Sequence, residues 1–435
     1  MFFRLNSLCQ LILGENISIY NLKENIVYIL NKEAGEFIKY CEENNQIEEY
    51  TYYKNNKQYL DEILFKLEKL NLGCIADKKT HIEKFKFNTS EKLLNLIQPP
   101  PFFNKVILNY SNQCNLNCDF CNKENLKNWQ GCVSCFQNHE DENIIEQEQI
   151  LNIIEKLKPL NINELVIKGG NPLIKVDILE AIINNISSPK NIKLKIISNG
   201  LGIEYQQLVK LLSNKFVELQ IVLFGLEQFI DKYDFDHYME NVIREQNSLM
   251  DKLIRDNIDF NITFQVLSQN QTQSVETINT IREKYNKKVS VSNLIDEDDQ
   301  QTLALIKYSK KFIPKLNSPK EFFWNKSHNR CLYGTFCINS NHKLTPCCEI
   351  REYLGDIGED GENIYNALSN TRLYDYWNEN KNDTENCKNC SLRYFCLDCY
   401  AIDKSCYRKT ICNILLDDMQ IDYSKIDATE FIKVV

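Results

Sequence analysis

Residues 114–121 read Cys-Asn-Leu-Asn-Cys-Asp-Phe-Cys, and the rest of the chain is best understood outward from them. Cys114, Cys118 and Cys121 stand at C-x3-C-x2-C, with the aromatic Phe120 just before the last thiol. A four-iron cluster is ordinarily held by four thiolates. Three in so short a run leave one iron without a protein ligand, open to a small molecule. A structural zinc site is the other use of close thiols.

The composition sets limits. The chain has 435 residues, enough for two or three domains, with 18 cysteines but only 5 histidines. Soft sulfur donors favour iron–sulfur or zinc over hard cations. The opening segment lacks a signal peptide's apolar core, because Arg4, Asn6 and Ser7 interrupt it. No apolar run approaches the roughly 20 residues that span a bilayer. A cytoplasmic protein with no membrane partner is expected, and there thiols stay reduced and act as metal ligands rather than disulfides. The formal charge is −9 with both signs interleaved, which gives no electrostatic case for nucleic acid.

On either side of the thiols, strand and helix patterns alternate from residue 104 to about 312. Lys105–Asn109, Glu164–Lys168, Ile192–Ser198, Val217–Phe224, Phe260–Leu267 and Lys288–Val291 read as six strands. Ile150, Leu151, Ile153, Ile154 and Leu157 form a helical stripe; Ile178, Leu179, Ile182 and Ile183 form another, and Gln206–Leu212 is also helical. This alternation predicts a parallel sheet, whose ligands gather at the C-terminal strand ends. The cysteine loop, Gly169-Gly170-Asn171-Pro172 and Ser198-Asn199-Gly200 follow the first, second and third strands respectively.

These features together resemble the radical S-adenosylmethionine (SAM) superfamily, which implies a partial six-unit (β/α) barrel of TIM type. In that family the open iron of a [4Fe-4S] cluster chelates SAM. The cluster's electron cleaves the sulfonium, and the 5'-deoxyadenosyl radical takes a hydrogen atom from the substrate. Gly169, Gly170, Asn171 and Pro172 match a Gly-Gly-Glu-Pro motif that meets SAM's methionine amino group, with Asn171 replacing the Glu. Ser198 and Asn199 match the ribose-contacting position, and Phe120 the aromatic of the cluster loop. Two departures stand out. The fourth strand runs Ile221-Val-Leu-Phe-Gly225, where relatives often have Ser-Leu-Asp-Gly. No Arg follows soon after it to hold SAM's carboxylate: Lys232 is nearer than Arg244.

Residues 1–88 precede this unit. Apolar segments at 10–13, 17–20 and 25–30 read as strands. Ala34, Phe37, Ile38 and Cys41 share one helix face, and Tyr59, Ile63, Leu64, Leu67 and Leu70 share another that stops at Gly73. A small sheet followed by helices suggests a winged-helix-like module. The acidic run from Glu42 to Glu49 argues against DNA. The order resembles the RiPP recognition element, whose exposed sheet edge takes the leader of a ribosomally made precursor peptide as an added strand. A stiff linker spans 89–103, with prolines at 99, 100 and 101.

Residues 313–415 hold Cys331-x5-Cys337-x9-Cys347, Cys387-x2-Cys390-x5-Cys396-x2-Cys399, then Cys406 and Cys412. Apolar periodicity is sparse there apart from a helix at Ile364–Trp377, so the segment is expected to depend on metal for its fold. The pattern resembles the SPASM domain, which implies two auxiliary [4Fe-4S] clusters. Cys331, Cys337, Cys347 and Cys399 would hold the first. Cys387, Cys390, Cys396 and Cys412, or else Cys406, would hold the second. Cys348 beside Cys347 leaves that ligand open, and two zinc sites would use the same residues. Cys132 and Cys135 form a further C-x2-C pair, read as uncoordinated or as a clip on the loop. No motif marks the tail, residues 416–435.

The whole resembles a radical SAM peptide maturase. That implies an oxidoreductase that modifies a precursor peptide, forming a thioether or other cross-link, and draws electrons from a reductant such as flavodoxin or ferredoxin. Two other readings fit parts of the pattern: a radical SAM oxidase of another protein residue or a small alcohol, and a non-catalytic iron–sulfur or zinc scaffold that binds peptide.

Overall fold

Short apolar runs broken by polar turns open the chain as an antiparallel meander. Strand β1 (Phe2–Leu5) is followed by β2 (Cys9–Ile12), β3 (Ile17–Asn21) and β4 (Ile26–Leu30), and the last three pair antiparallel in that order. Helix α1 (Lys32–Glu42) starts where Asn31 accepts a hydrogen bond from the Ala34 amide at 2.8 Å, a side-chain N-cap. It buries Ala34, Phe37, Ile38 and Cys41, the stripe expected from sequence. Helix α2 (Lys57–Lys69) buries Leu60, Ile63, Leu64 and Leu67, and β5 (Gly73–Ala76) returns to pair with β1.

The structure is a computed structural model and describes residues 1–86, 102–116, 118, 121, 126–129, 131–135, 144–186, 192–224, 236–267, 271–296, 319–350, 352–385, 387–395, 399 and 432–434. Phe120, Cys396, Cys406, Cys412, the proline linker, Gly225 and Lys232 lie outside the described residues.

Six strands run parallel in sequence order: β6 (Phe102–Asn109), β8 (Asn161–Lys168), β9 (Lys193–Ser198), β10 (Val217–Phe224), β11 (Asn261–Leu267) and β12 (Val289–Asp296). Strand β7 (Leu126–Trp129), from the loop after β6, pairs antiparallel with β12 at one edge. Helices α3 (Gln147–Leu157), α4 (Val176–Ile186), α5 (Tyr205–Leu212), α6 (Asp236–Arg255) and α7 (Gln271–Tyr285) alternate with the strands. The strands' near-continuous Val, Ile and Leu runs are buried on both faces, as a covered parallel sheet requires. Period-two alternation separates those faces. Val106, Leu108, Leu165, Ile167, Leu194 and Ile196 pack with the helices. Ile107, Val166, Ile197, Val222, Phe224 and Leu294 form a second cluster that also contains Cys118, Cys135 and Cys337. All six strands fall where the sequence pattern puts them; the sixth runs further, to Asp296.

The cysteine-rich region departs from expectation. After α8 (Pro319–Ser327), β13 (Thr335–Ile338) joins β6 in parallel, and β14 (Lys343–Thr345) and β15 (Gly355–Asp356) extend the sheet antiparallel. Leu332, Phe336, Ile338, Leu344, Leu354, Ile357 and Trp377 are buried in the same core as the parallel strands. The expectation of a segment poor in core is therefore corrected: its apolar residues are spread over strands too short to show a period. The single helix expected at Ile364–Trp377 is also corrected. It is two helices, α9 (Ile364–Leu368) and α10 (Thr371–Asn378), divided where Asn370 caps the second by accepting from the Arg372 amide at 2.9 Å.

The N-terminal meander lies between two partners. Ile17, Ile19, Tyr28 and Leu30 pack under α1 and α2. The opposite face, with Ile12, Tyr20 and Val27, packs on Phe322, Phe323, Tyr394 and Phe395. The Ser18 and Ser391 hydroxyls are 2.7 Å apart, the Tyr20 hydroxyl donates to the Ser391 carbonyl at 2.9 Å, and the Glu15 amide donates to the Asn389 carbonyl at 2.7 Å. The β4 edge carries a further strand, β16 (Ile432–Val434), paired antiparallel. The resemblance implies an exposed sheet edge on this module without saying which; the β4 edge is covered, by a tail segment in which no motif was read. No helix among the described residues is long and apolar enough to cross a membrane.

Tyr20 is fully buried, with ring centroids 5.0 Å from Phe322 and 6.5 Å from Phe395. Tyr20→Ala should cost about 3–5 kcal/mol, the usual range for truncating a buried aromatic. In a urea titration followed by amide exchange, the 9–30 and 387–395 segments should open together and before the parallel sheet.

Candidate metal and cofactor site

The site forms at the C-terminal ends of β6, β8 and β9, and each loop there has a local reason for its shape. Cys118 and Cys121 are joined by a turn in which the Cys121 amide donates to the Cys118 carbonyl at 2.9 Å. The Cys114 Sγ accepts from the Leu116 amide at 3.4 Å and from the Asn199 side-chain amide at 3.6 Å. Such N–H donors favour thiolate sulfur and tune any iron bound to it.

After β8, two glycines let the next loop come close. Gly169 and Gly170 have φ of +115° and +44°. A Cβ on Gly170 would overlap the Gln113 carbonyl, and one on Gly169 would overlap Asn109 Oδ1. Backbone contact follows: the Asn171 amide donates to the Gln113 carbonyl at 2.7 Å. The glycines thus bring the second loop against the start of the thiol loop.

Asn171 ties the loops together. It is 1 % exposed. Its Nδ2 donates to Asn115 Oδ1 at 2.7 Å and to the Leu201 carbonyl at 2.6 Å. Its Oδ1 accepts from the Ser198 hydroxyl at 2.6 Å and the Leu173 amide at 3.2 Å. Ser198 is fully buried and also accepts from the Gly200 amide at 2.8 Å. Asn199 donates to Asn115 Oδ1 at 3.0 Å. Pro172 opens a short helical turn, and its carbonyl accepts from Tyr110 at 3.2 Å. Gln246, which sequence reasoning missed, lies buried on α6 and donates to the Asn199 and Val222 carbonyls at 2.7 and 2.9 Å. The signal that could have flagged it is its place between Val242 and Met250, a polar residue on the buried face of an amphipathic helix.

The thiols are near neighbours. The Cys118 thiol is held well above its usual pKa, first by its hydrogen bond with Cys121, then by burial and by the charges of Cys121, Cys135 and Cys114. Burial first, then Cys121 and Cys114, raise Cys135 in the same way. Close thiolates disfavour one another's charge, and a bound cation reverses that. This soft sulfur set, with N–H donors on Cys114, fits iron–sulfur chemistry. Among the described residues, however, no three His, Cys, Asp or Glu side chains close on one point as finished metal ligands do.

A second group of thiols gathers around Lys168, the last residue of β8. Lys168 is 1 % exposed; its Nζ donates to the Gly131 carbonyl at 2.8 Å and lies 3.8 Å from Glu349. Burial would lower its pKa, but Cys348, Glu349, Cys337 and Cys132 outweigh that and raise it. Burial pushes the Cys337 thiol up to about 12. Cys347 is raised by burial and then by Cys348, Cys399 and Cys331. Cys347 is thus linked electrostatically with Cys348, Cys399 and Cys331, and Cys337 with Lys168 and Glu349. Cys132 and Cys135 pack in the same cluster, and Cys135 interacts with Lys168 as well as with Cys121 and Cys114. Cys387 is buried and Cys390 half-buried, in the segment under the N-terminal sheet.

Residues 108–264 match the Radical SAM superfamily. This chain contains a radical SAM domain. Among curated proteins it is similar to a "Probable GTP 3',8-cyclase" of Methanococcus aeolicus, 34% identical over 102 residues, 22% of this chain and 30% of the relative. The namesake of Methanococcus maripaludis is 28% identical over 104 residues, 24% of this chain and 31% of the relative. The chain spans less than a third of the length of both. Among solved structures, native anSMEcpe with bound AdoMet aligns with a TM-score of 0.53 at 14% identity, over 74% of this chain and 97% of that one. At this identity the radical SAM domain shares a fold with it, an α/β fold on a partial parallel sheet. Streptococcus suis SuiB bound to precursor peptide SuiA aligns with a TM-score of 0.40 at 18% identity, over 92% of this chain and 94% of that one.

Gly170→Ala tests how the loops are built. A residue with a Cβ at this left-handed φ costs roughly 1–2 kcal/mol before any clash. Faster amide exchange at residues 110–116 and a lower iron content after anaerobic reconstitution are expected; unchanged exchange would mean the glycine is not what seats the thiol loop.

Proposed function

We propose that this chain is a radical SAM enzyme that modifies a ribosomally made precursor peptide. The observation that carries the reading is the docking of an N-terminal antiparallel sheet, whose β4 edge already takes an added strand in β16, directly on the Cys387–Phe395 segment of the same chain as the thiol loop. A small-molecule oxidase has no use for such an edge.

In this reading Cys114, Cys118 and Cys121 would hold a [4Fe-4S] cluster that binds SAM, and Phe120 is assigned to the same cofactor site. When bound, the cluster supplies the electron that cleaves SAM to a radical able to take hydrogen from the peptide. The chain's own residues orient and enclose. The side chains of Asn171 and Ser198 satisfy each other, so they fix the loops. Recognition of SAM then falls to the backbone of Gly169 and Gly170, flanked by Pro172, and to the Asn199 amide. Cys331, Cys337, Cys347 and Cys399 hold one auxiliary cluster; Cys387, Cys390, Cys396 and Cys412 hold the other, in a SPASM-type region. Such clusters would supply an acceptor for the one electron released when the substrate radical closes with a thiol to a thioether, the thiol's proton passing to solvent, and a flavodoxin or ferredoxin would supply the electron that starts the reaction. The N-terminal unit, a winged-helix-like recognition element, binds the leader, and this tethering raises the local concentration of the core peptide.

Replacing Cys114, Cys118 and Cys121 together by Ala should abolish 5'-deoxyadenosine formation and lower the iron count by about four. Normal cleavage of SAM by that variant would rule the reading out. With the precursor in hand, loss of the N-terminal unit should remove peptide binding while SAM cleavage persists.

The auxiliary assignment has its own test. Cys387→Ala with Cys390→Ala leaves the first loop's thiols in place, so deoxyadenosine should still form without modified peptide. Full product from a soluble variant with a reduced iron count would leave those thiols a structural role only.

A further inference from the structure

The sheet edge that the proposed function assigns to a leader is occupied by the chain itself. Strand β16 pairs antiparallel with β4 in the register Ile432↔Leu30, Lys433↔Ile29 and Val434↔Tyr28. On its other side β4 pairs with β3, Ile17 opposite Leu30 and Ile19 opposite Tyr28. Both edges of β4 are therefore satisfied, and no further strand can add there while β16 stays. At the far end of the same sheet, the start of β2 is flanked by residues 84–85: the Phe85 amide donates to the Ser7 carbonyl at 2.9 Å, and Gln10 Nε2 donates to the Phe85 carbonyl at 3.1 Å.

The pairing is short. Three residues give at most a few ladder hydrogen bonds, each contributing little net free energy in water. What holds so short a strand in place is its covalent attachment, which makes pairing intramolecular. An incoming peptide with a longer strand gains more ladder bonds and can win. The register also describes what it must look like. Ile-Lys-Val alternates apolar, charged, apolar, opposite Leu30, Ile29 and Tyr28. Leu30 and Tyr28 belong to the core under α1 and α2. A replacement strand needs apolar residues at those alternate positions, while the middle position tolerates a charge.

We propose that Ile432–Val434 is a resident, displaceable strand on the β4 edge, an internal competitor that an extended peptide with alternating apolar residues replaces on binding. The proposal rests on reading that edge as a peptide site, but its test uses neither precursor nor SAM.

The probe is a labelled synthetic peptide with the sequence of residues 430–435, titrated into the full chain and into a chain ending at residue 429. The shortened chain should bind it about tenfold more tightly, the factor by which a site only one-tenth open loses affinity. Amides of residues 26–30 should exchange faster in the shortened chain and slow again when peptide is added. Lys433→Pro with Val434→Pro serves as a full-length second variant. Alternate residues aim their N–H at the partner strand, so two adjacent prolines remove the one facing β4 whichever it is. It should behave as the shortened chain does. Equal affinity for intact and altered chains, or binding to neither, overturns the proposal. So does unfolding of both variants, because a displaceable strand leaves a folded chain behind. These outcomes judge the resident strand at β4; the maturase reading is judged separately, by deoxyadenosine formation and precursor binding.

Discussion

One buried amide holds the site together. Asn171 uses both N–H bonds and its oxygen to join the thiol loop at Asn115, the loop after β9 at Leu201 and Ser198, and its own turn at Leu173. Each buried polar atom left unpaired costs about 1–3 kcal/mol, so a position with four such contacts tolerates little change. It also bears on the residue type. An ionised carboxylate accepts but cannot donate, so a Glu here would face the Leu201 carbonyl and Asn115 Oδ1 with acceptors only. Asn therefore suits this chain's surroundings at a position where an acidic residue marks the motif it resembles. The surrounding Asn115 and Asn199 belong to the same network, and the identity of position 171 is linked to theirs.

What the sequence made legible follows from period and spacing. The six parallel strands were readable because each is a Val-, Ile- or Leu-rich run long enough to show itself, and because polar turns separate them from helical stripes. The thiol loop was readable because metal-binding thiols lie close in sequence. Less visible were contacts whose partners are distant. Gln246 reaches carbonyls on β10 and just past β9, and Lys168 reaches Gly131 and Glu349. Sequence neighbours show at most that Gln246 lies on a buried helix face, not which carbonyls it reaches. Strands β13, β14 and β15 escaped because two to four residues carry no measurable period; their burial is decided by the β6 edge on which they lie. Strand β16 escaped for the same reason, three residues whose structure exists only beside β4.

The antiparallel sheet at the N-terminus acts as a filling between two layers. Alternation along β3 sends Ile17 and Ile19 to the helices, and Ser18 and Tyr20 to the cysteine-rich region. Gly14 reports how close that second contact is: a Cβ there would meet the Asn389 carbonyl and the Ser391 amide. These backbone groups belong to the segment beginning at Cys387 and Cys390. The sheet that carries the β4 edge is thus joined to the segment of those thiols by packed atoms and two hydroxyl contacts.

The remaining question is how a lysine survives inside the sheet. Moving a lone ammonium out of water costs several kcal/mol, and a buried lysine without compensation loses its proton. Lys168 keeps its charge because the Gly131 carbonyl accepts from its ammonium at 2.8 Å and the Glu349 carboxylate lies 3.8 Å away. The dependence runs both ways. A buried cation makes thiolate charge nearby less costly: burial raises Cys337, Cys348 and Cys135, and the Lys168 ammonium partly offsets that in each. It stands at the end of β8, one residue before Gly169, so the same short segment that seats the thiol loop also carries the counter-charge for the thiols behind it. The two sulfur groups are thereby joined electrostatically through a single strand end, and each was legible in the sequence only as an isolated motif.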